Sequence, residues 1–453
     1  MSTTFQADEH GPAPSVLLGF RGENLRSFRD SFELSLLATP MAEPEYVRHV
    51  PWRPGGKSIG VLPVAAVYGP NASGKSNVLR VMSDMRSHVL FSFRNRDPEG
   101  SFQRRGFLLG ADQSAPSRYE VELLLEGVRT EYGFIVDSTR VLEEWAVHYP
   151  RGKPAQLFRR EGDDVELGTA IRSQARSTLS LLPSNALFLS VDAAVKHPAL
   201  GSLSNWFQRN LALAEAESRQ LRQTLTTEML EDKNMREGVL DFLRKADLGV
   251  CNARRIEMDP VMRDRYKRAL RIIEGLEAEP EGADDGPDIV SFQVRLTHEG
   301  AAGPIEFETE DESLGTLVWF GLVGPILQAL ARGTVFLADE LDSSLHPDLV
   351  HQLVQLFQDP ETNPRRAQLI FNSHDATLLG DSAGHRPLGR DQVWFTEKES
   401  TAGVSRLYAL ADLDPRKGEA VSKRYLAGRY GARPIVSHEE FAAAADLVLS
   451  TTR

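Results

Sequence analysis

The sequence predicts an α/β fold: a largely parallel sheet flanked by helices, carrying an antiparallel β meander and a helical insertion. Three observations predict it. Val61–Tyr68 (VLPVAAVY) is a continuous apolar run, the pattern of a strand buried on both faces, and a glycine-rich loop and a helical pattern follow it at once. From residue 313 onward the elements alternate helix, strand, helix, strand, which is the order of a parallel sheet with crossover helices. Between these two blocks the pattern changes twice, first to strict apolar–polar alternation and then to helical spacing.

Taken in order, residues 1–14 read as a short disordered lead without the basic start and apolar stretch of a signal peptide. Val16–Phe20 and Phe32–Leu37 read as strands around the loop Arg21–Asp30, and residues 15–110 form the first part of the α/β core. Pro63 lies near the start of its strand, where the missing N–H is tolerated. Residues 111–170 contain SRYEVELLLE, RTEYGFIVD, RVLEEWAVHY and AQLFRRE, an antiparallel meander with short turns. Residues 171–290 carry helical spacing and close on an acidic linker, EPEGADDGP at 279–287. The helical stretch 202–280 lacks sustained heptads, and as a hairpin it would reach at most ~60 Å, so it reads as a compact lid or docking domain. Residues 291–453 complete the core with strands TVFLAD, QLIFNS, QVWFTEKE and VSRLYAL and a helix around His351–Gln358.

At 453 residues the chain is long enough for two or three domains. No apolar run is read as long enough to span a bilayer. A single cysteine, Cys251, excludes an internal disulfide framework and a cysteine-based zinc site, and fits a reducing cytoplasm. The formal net charge of −12 argues against a large constitutive nucleic-acid surface. Two local basic stretches, RDRYKRALR at 263–271 and Lys417 to Arg433, read first as solvated helix faces.

Three constellations carry chemistry. The first is Gly69-Pro70-Asn71-Ala72-Ser73-Gly74-Lys75-Ser76, which matches G-x-x-x-x-G-K-[S/T] and runs on into Asn77. Its glycines let backbone N–H groups wrap a phosphate without Cβ clashes, and the helix that starts near Lys75 adds its positive end. Lys75 reaches the β- and γ-phosphates of ATP, and the Ser76 hydroxyl ligates Mg²⁺. The second is TVFLADE, residues 334–340. A buried strand that ends in two acids must face something cationic. Asp339 is placed to hold Mg²⁺ through water and Glu340 to act as general base on the attacking water. The third is QLIFNSHD, where His374 closes another apolar strand. A histidine there is either structural or a hydrogen-bond partner for a γ-phosphate oxygen.

The order of these elements resembles ABC-type ATPases, including the RecF, SMC and OLD groups. Leu341-Asp342-Ser343-Ser344-Leu345-His346-Pro347 looks like their D-loop, with Asp342 as its acid. Ser313-Leu314-Gly315-Thr316 looks like a shortened signature motif that lacks the second glycine and the glutamine. By itself the same stretch reads as a helix capped by Ser313 and ended by Gly333. The resemblance implies an ABC-ATPase-like head that dimerises head to tail, with Ser313 and Gly315 meeting the γ-phosphate held by a second copy. It also implies a glutamine near Mg²⁺, for which Gln103 is the best placed. Arg26 lies in a loop where relatives contact nucleotide, with a surface salt bridge as the other reading.

A narrower resemblance rests on VLLGFRGENLRSFRDSFELSLLA, FLL at 107–109, LEEW at 142–145 and YLAGRYGARPIV at 425–436. These resemble the abortive-infection branch of AAA-family ATPases related to OLD. That branch implies an anti-phage role beside a separately encoded nuclease or TOPRIM-type effector, since no nuclease set stands out in this chain. A RecF-like repair ATPase that binds duplex DNA is the alternative. In YLAGRYGARP the glycines Gly428 and Gly431 read as turn residues, and no mechanism follows from the sequence.

Overall fold

A computed structural model describes residues 15–52, 57–94, 101–102, 104–110, 112–194, 200–214, 218–257, 292–380, 386–416, 418–434 and 437–451. Gln103, the basic stretch 263–271 and the acidic stretch 279–287 lie outside the described residues.

Strands β1 (Val16–Glu23) and β2 (Phe32–Ser35) open the fold, followed by the short pair β3 (Arg48–Val50) and β4 (Ile59–Val61). β5 (Val64–Tyr68) leads through the glycine-rich loop into helix α1 (Lys75–Phe91). The meander comprises β6 (Ser117–Leu125), β7 (Val128–Val136), β8 (Val141–His148), β9 (Ala155–Glu161) and β10 (Asp164–Leu167). Next come α2 (Arg172–Ala175), α3 (Phe188–Ala194), α4 (Gly201–Arg209), β11 (Leu211–Ala214), α5 (Arg219–Met229), α6 (Lys233–Lys245) and β12 (Val250–Glu257). The last part holds β13 (Phe292–His298), β14 (Ile305–Phe307), α7 (Leu314–Arg332), β15 (Val335–Ala338), α8 (Pro347–Gln358) and β16 (Gln368–Asn372). It ends with β17 (Val393–Lys398), β18 (Ser405–Ala409), α9 (Val421–Leu426) and α10 (His438–Thr451).

A six-stranded sheet ordered β11-β15-β16-β5-β17-β18 forms the centre, parallel except for the edge strand β18. Period-2 alternation along β5 explains why its whole sequence is apolar. Ala65 and Val67 pack on one side with α1, while Val64, Ala66 and Tyr68 pack on the other with α7 and α8. A seven-stranded antiparallel sheet, β10-β9-β8-β7-β6-β1-β2, covers α1 from outside. The meander is therefore an extension of the first two strands rather than a sheet of its own, with β1 pairing β6 from Val16↔Leu124 to Glu23↔Arg118.

The segment 171–290 was expected to be helical, and here the structure corrects the sequence reading. Its residues Leu211–Ala214 form β11, which pairs parallel with β15 from Leu211↔Val335 to Ala214↔Ala338 and makes the outer edge of the central sheet. β12 pairs with β13 in a separate three-stranded antiparallel sheet. A four-residue apolar strand between two helices has no periodicity of its own; its partner strand supplies the ladder. A second correction concerns α7. Nineteen residues with little charge are enough, by length and composition, to cross a membrane. Here α7 packs as a core helix, with Trp319, Phe320, Leu322, Val323 and Ile326 buried. Gly321 and Gly324 let α5 come close, and the Thr226 hydroxyl accepts from the Gly324 N–H at 3.0 Å.

Candidate functional site

The sheet order explains how residues 300 positions apart meet. β16 lies between β5 and β15, so the C-terminal ends of three parallel strands sit side by side, the place where open α/β sheets bind ligands. Tyr68 ends β5, Ala338 ends β15 and Asn372 ends β16. The loops that follow them carry the glycine-rich turn, Asp339–Glu340 and His374 respectively.

Gly74 is the N-cap of α1 at φ 110°, a backbone that L side chains rarely adopt, and a Cβ there would sit 2.7 Å from the Ser405 hydroxyl and 2.9 Å from that of Ser27. As glycine it offers no side-chain cap, so the helix N-terminus keeps amides for an anion. The loop is fastened to the sheet by Ser73, whose hydroxyl shares a 2.6 Å hydrogen bond with that of Thr396 on β17. Asn71 and Ala72 are exposed at the loop tip, and Ala72 takes a positive φ of 62°. Asn77, one turn into the helix, donates to the Ser27 hydroxyl at 2.8 Å.

Lys75 is buried at 7% exposure and donates from Nζ to the carbonyls of Gly69 at 2.9 Å and Pro70 at 3.0 Å. Burial lowers its pKa, and the carboxylates of Glu340, Asp342 and Asp339 pull it back up. The same field reaches His374. Desolvation of the ring and the Lys75 cation lower its pKa, against Asp342 and Glu340, although much of the side chain is exposed. The net direction favours the neutral imidazole. The His374 N–H donates to Asp342 Oδ2 at 3.0 Å, and Asp342 Oδ1 is buried with no hydrogen-bond partner.

The residue at the centre of the cluster is one the sequence reading passed over. Asn372 donates from Nδ2 to Asp339 Oδ1 at 2.5 Å and to the Ser76 hydroxyl at 3.3 Å, and its Oδ1 accepts from the Glu340 N–H. Asp339 is buried and also faces Arg80 Nη2 at 3.5 Å. Glu340 takes φ 53°, an uncommon conformation for a glutamate, with its N–H tied to Asn372.

The donor set suits a hard cation. Among the described residues there is no group of three or more His, Cys, Asp or Glu side chains arranged for a metal. Mg²⁺ does not need one, because it takes one or two protein oxygens, waters and phosphate oxygens. Ser76 and Asp339, bridged by one amide, and the orphaned Asp342 oxygen beside Lys75 fit that chemistry.

Two other expectations fall elsewhere. Ser313 caps α7, its Oγ accepting from the Thr316 N–H at 3.1 Å, and is exposed with Leu314 at the helix start. A Cβ on Gly315 would lie 2.8 Å from the Ser344 carbonyl, so the start of α7 abuts the loop after Glu340. Arg26 takes the salt-bridge reading: it forms a bidentate pair with Asp84, at 2.7 and 2.8 Å, both side chains being largely buried. Asp84 is nine residues into α1 from Lys75, about 13 Å along the helix, so this guanidinium is engaged well away from the glycine loop.

A buried parallel strand, a glycine loop on a helix N-terminus and an acid-ended neighbouring strand define a P-loop nucleoside-triphosphatase domain. The family described as "AAA domain, putative AbiEii toxin, Type IV TA system" matches residues 64–380, and the chain belongs to it. Among solved structures, it is similar to an SMC head bound to the C-winged helix domain of ScpA, at 14% identity and a TM-score of 0.39, over 88% of this chain and 99% of that one. It is also similar to the SMC head domain from Thermotoga maritima, at 12% identity and a TM-score of 0.37, over 87% of this chain and 98% of that one. No curated protein matches the chain.

Proposed function

We propose that this chain binds and hydrolyses ATP with Mg²⁺ at the Gly69–Asn77 loop, and that two copies close head to tail over two nucleotides. One observation carries the reading: Asn372 ties Ser76 to Asp339 and holds the Glu340 backbone, which assembles both halves of a hydrolytic site at one sheet edge.

The loop amides and the α1 N-terminus bind the phosphates. Lys75 exchanges its two carbonyl partners for phosphate oxygens, which satisfy a desolvated ammonium better than neutral carbonyls do. Ser76 and Asp339 hold Mg²⁺, which when bound neutralises charge on the β- and γ-phosphates. Glu340 accepts a proton from the attacking water, and neutral His374 donates a hydrogen bond to the γ-phosphate. Ser313 and Gly315 act on the nucleotide of the other copy. Their helix start is exposed and capped, a form suited to an anion that arrives from outside. Asp342, anchored to the His374 backbone, positions the loop between the two subunits.

The family's description names a toxin of a toxin–antitoxin system, which supports a role in abortive infection beside a separate nuclease or TOPRIM-type effector. Phosphate release by the parent protein and by Lys75→Ala tests the enzymatic reading. Equal rates in the two proteins would refute it.

A further inference from the structure

The motif YLAGRYGARP is 350 residues from the glycine loop in sequence and touches it in space. Tyr425, on α9, is 8% exposed. Its ring stacks on Phe395 of β17, with centroids 5.6 Å apart and planes at 17°, and meets Tyr68 edge-on at 5.7 Å. Tyr68 is the residue directly before Gly69. Burial pushes the Tyr425 phenol up, against a smaller lowering from the Gly69 backbone. Tyr430 stacks on the same Phe395 at 5.8 Å, and its carbonyl accepts from the Tyr408 hydroxyl at 2.7 Å.

The two glycines explain the spacing of the motif. Gly428 at φ 74° and Gly431 at φ 69° turn the chain sharply, so that Tyr425 and Tyr430 both reach Phe395. A Cβ on Gly431 would meet the Tyr408 hydroxyl at 2.8 Å. On the other side, the Tyr68 hydroxyl donates to the carbonyl of Asp375, next to His374, at 3.1 Å. α9 packs on the short turn Ala376–Leu379 that follows.

We propose that Tyr425 and Tyr68 are positioning residues of the nucleotide site, and that the 425–432 segment braces the start of the glycine loop and the His374 turn from beneath. The Tyr425 ring backs Tyr68, whose neighbour Gly69 holds Lys75 through its carbonyl before nucleotide arrives. Tyr68 fixes the turn that carries His374. The Tyr425 contact governs ATP affinity and the Tyr68 contact governs turnover.

The inference rests on the ATP-site reading above, and the controls separate the two. The full chain is assayed for binding of a fluorescent ATP analogue and for steady-state phosphate release, beside Lys75→Ala. Failure of the parent to bind ATP removes the site reading itself. With a binding parent, Tyr425→Leu, which removes the ring behind Tyr68, is expected to weaken ATP binding three- to tenfold with kcat nearly unchanged, while Tyr425→Phe, which keeps the ring, binds as the parent does. Tyr68→Phe is expected to lower kcat by a similar factor with ATP affinity unchanged. A merely structural role would lower melting temperature without this split. Parental ATP affinity in Tyr425→Leu overturns the role of Tyr425, and parental kcat in Tyr68→Phe overturns that of Tyr68.

Discussion

Asn372→Ala is the substitution whose effect can be worked furthest from the geometry. It removes the charge-assisted hydrogen bond to Asp339, worth about 1.5–3 kcal/mol, and the weaker one to the Ser76 hydroxyl. It also releases the Glu340 N–H. Glu340 is held at φ 53°, a left-handed conformation that costs a non-glycine residue roughly 1–2 kcal/mol, and without its anchor the backbone can relax. On the proposed roles of Glu340 as base and Asp339 as metal ligand, together these place the two residues about 3 kcal/mol further from the productive arrangement, or about a hundredfold in kcat. The phosphate-binding amides and Lys75 do not depend on Asn372, so ATP affinity should change less than about threefold. Steady-state phosphate release together with ATP titration reads both quantities. A folded Asn372→Ala protein with kcat within threefold of the parent would refute the reasoning.

Three further outcomes follow from other parts of the structure. Glu144 and Arg160 are fully buried. Glu144 accepts from the Phe188 and Leu189 amides, and Arg160 donates to the carbonyls of Gly162, Pro183, Ser184 and Ala186. Glu144→Ala takes away the counter-charge 3.9 Å from the guanidinium and the acceptor of both amides, and should cost about 3–5 kcal/mol of stability, read by denaturant unfolding; a loss under 1 kcal/mol would contradict it. His88 packs among Phe102, Tyr119 and Phe134, and burial lowers its pKa to about 4. The unfolded chain takes up this proton first, so stability present above the ordinary histidine pKa is lost as pH falls from about 6.5 to about 4. The loss is about 3 kcal/mol, and His88→Phe should flatten it in melts across that range. Ser313→Arg should spare ATP binding by the monomer and abolish ATP-dependent dimerisation in light scattering; an intact dimer would return Ser313 to a helix-capping role alone.

Much of the central sheet was legible because its strands are apolar on both faces and end in chemically conspicuous residues. β5 with its glycine loop, β15 with Asp339 and Glu340, and β16 with His374 all lie where the pattern puts them. The start of α1 at Lys75 was legible from the glycine-loop motif, and the ends of α7 at Ser313 and Gly333 from cap chemistry. What was not legible depends on pairing across the chain. β11 is four residues long and takes its identity from β15. The meander's union with β1 is a register fact that no local pattern encodes. For Arg26 the sequence left nucleotide contact and a salt bridge open, and only the packing of α1 places its partner Asp84 beside it. An asparagine at a strand end carries no signature, and Asn372 acquires its importance only because the sheet order sets β16 between the other two strands.

Glu340→Gln tests the central claim most directly. It keeps the size and nearly the shape of the side chain and removes its capacity to take a proton. Light scattering of this variant with ATP and Mg²⁺, beside its phosphate release, should show a stable dimer holding two ATP molecules and turnover reduced by at least a hundredfold. A monomer under those conditions, or hydrolysis at the parental rate, would contradict the account.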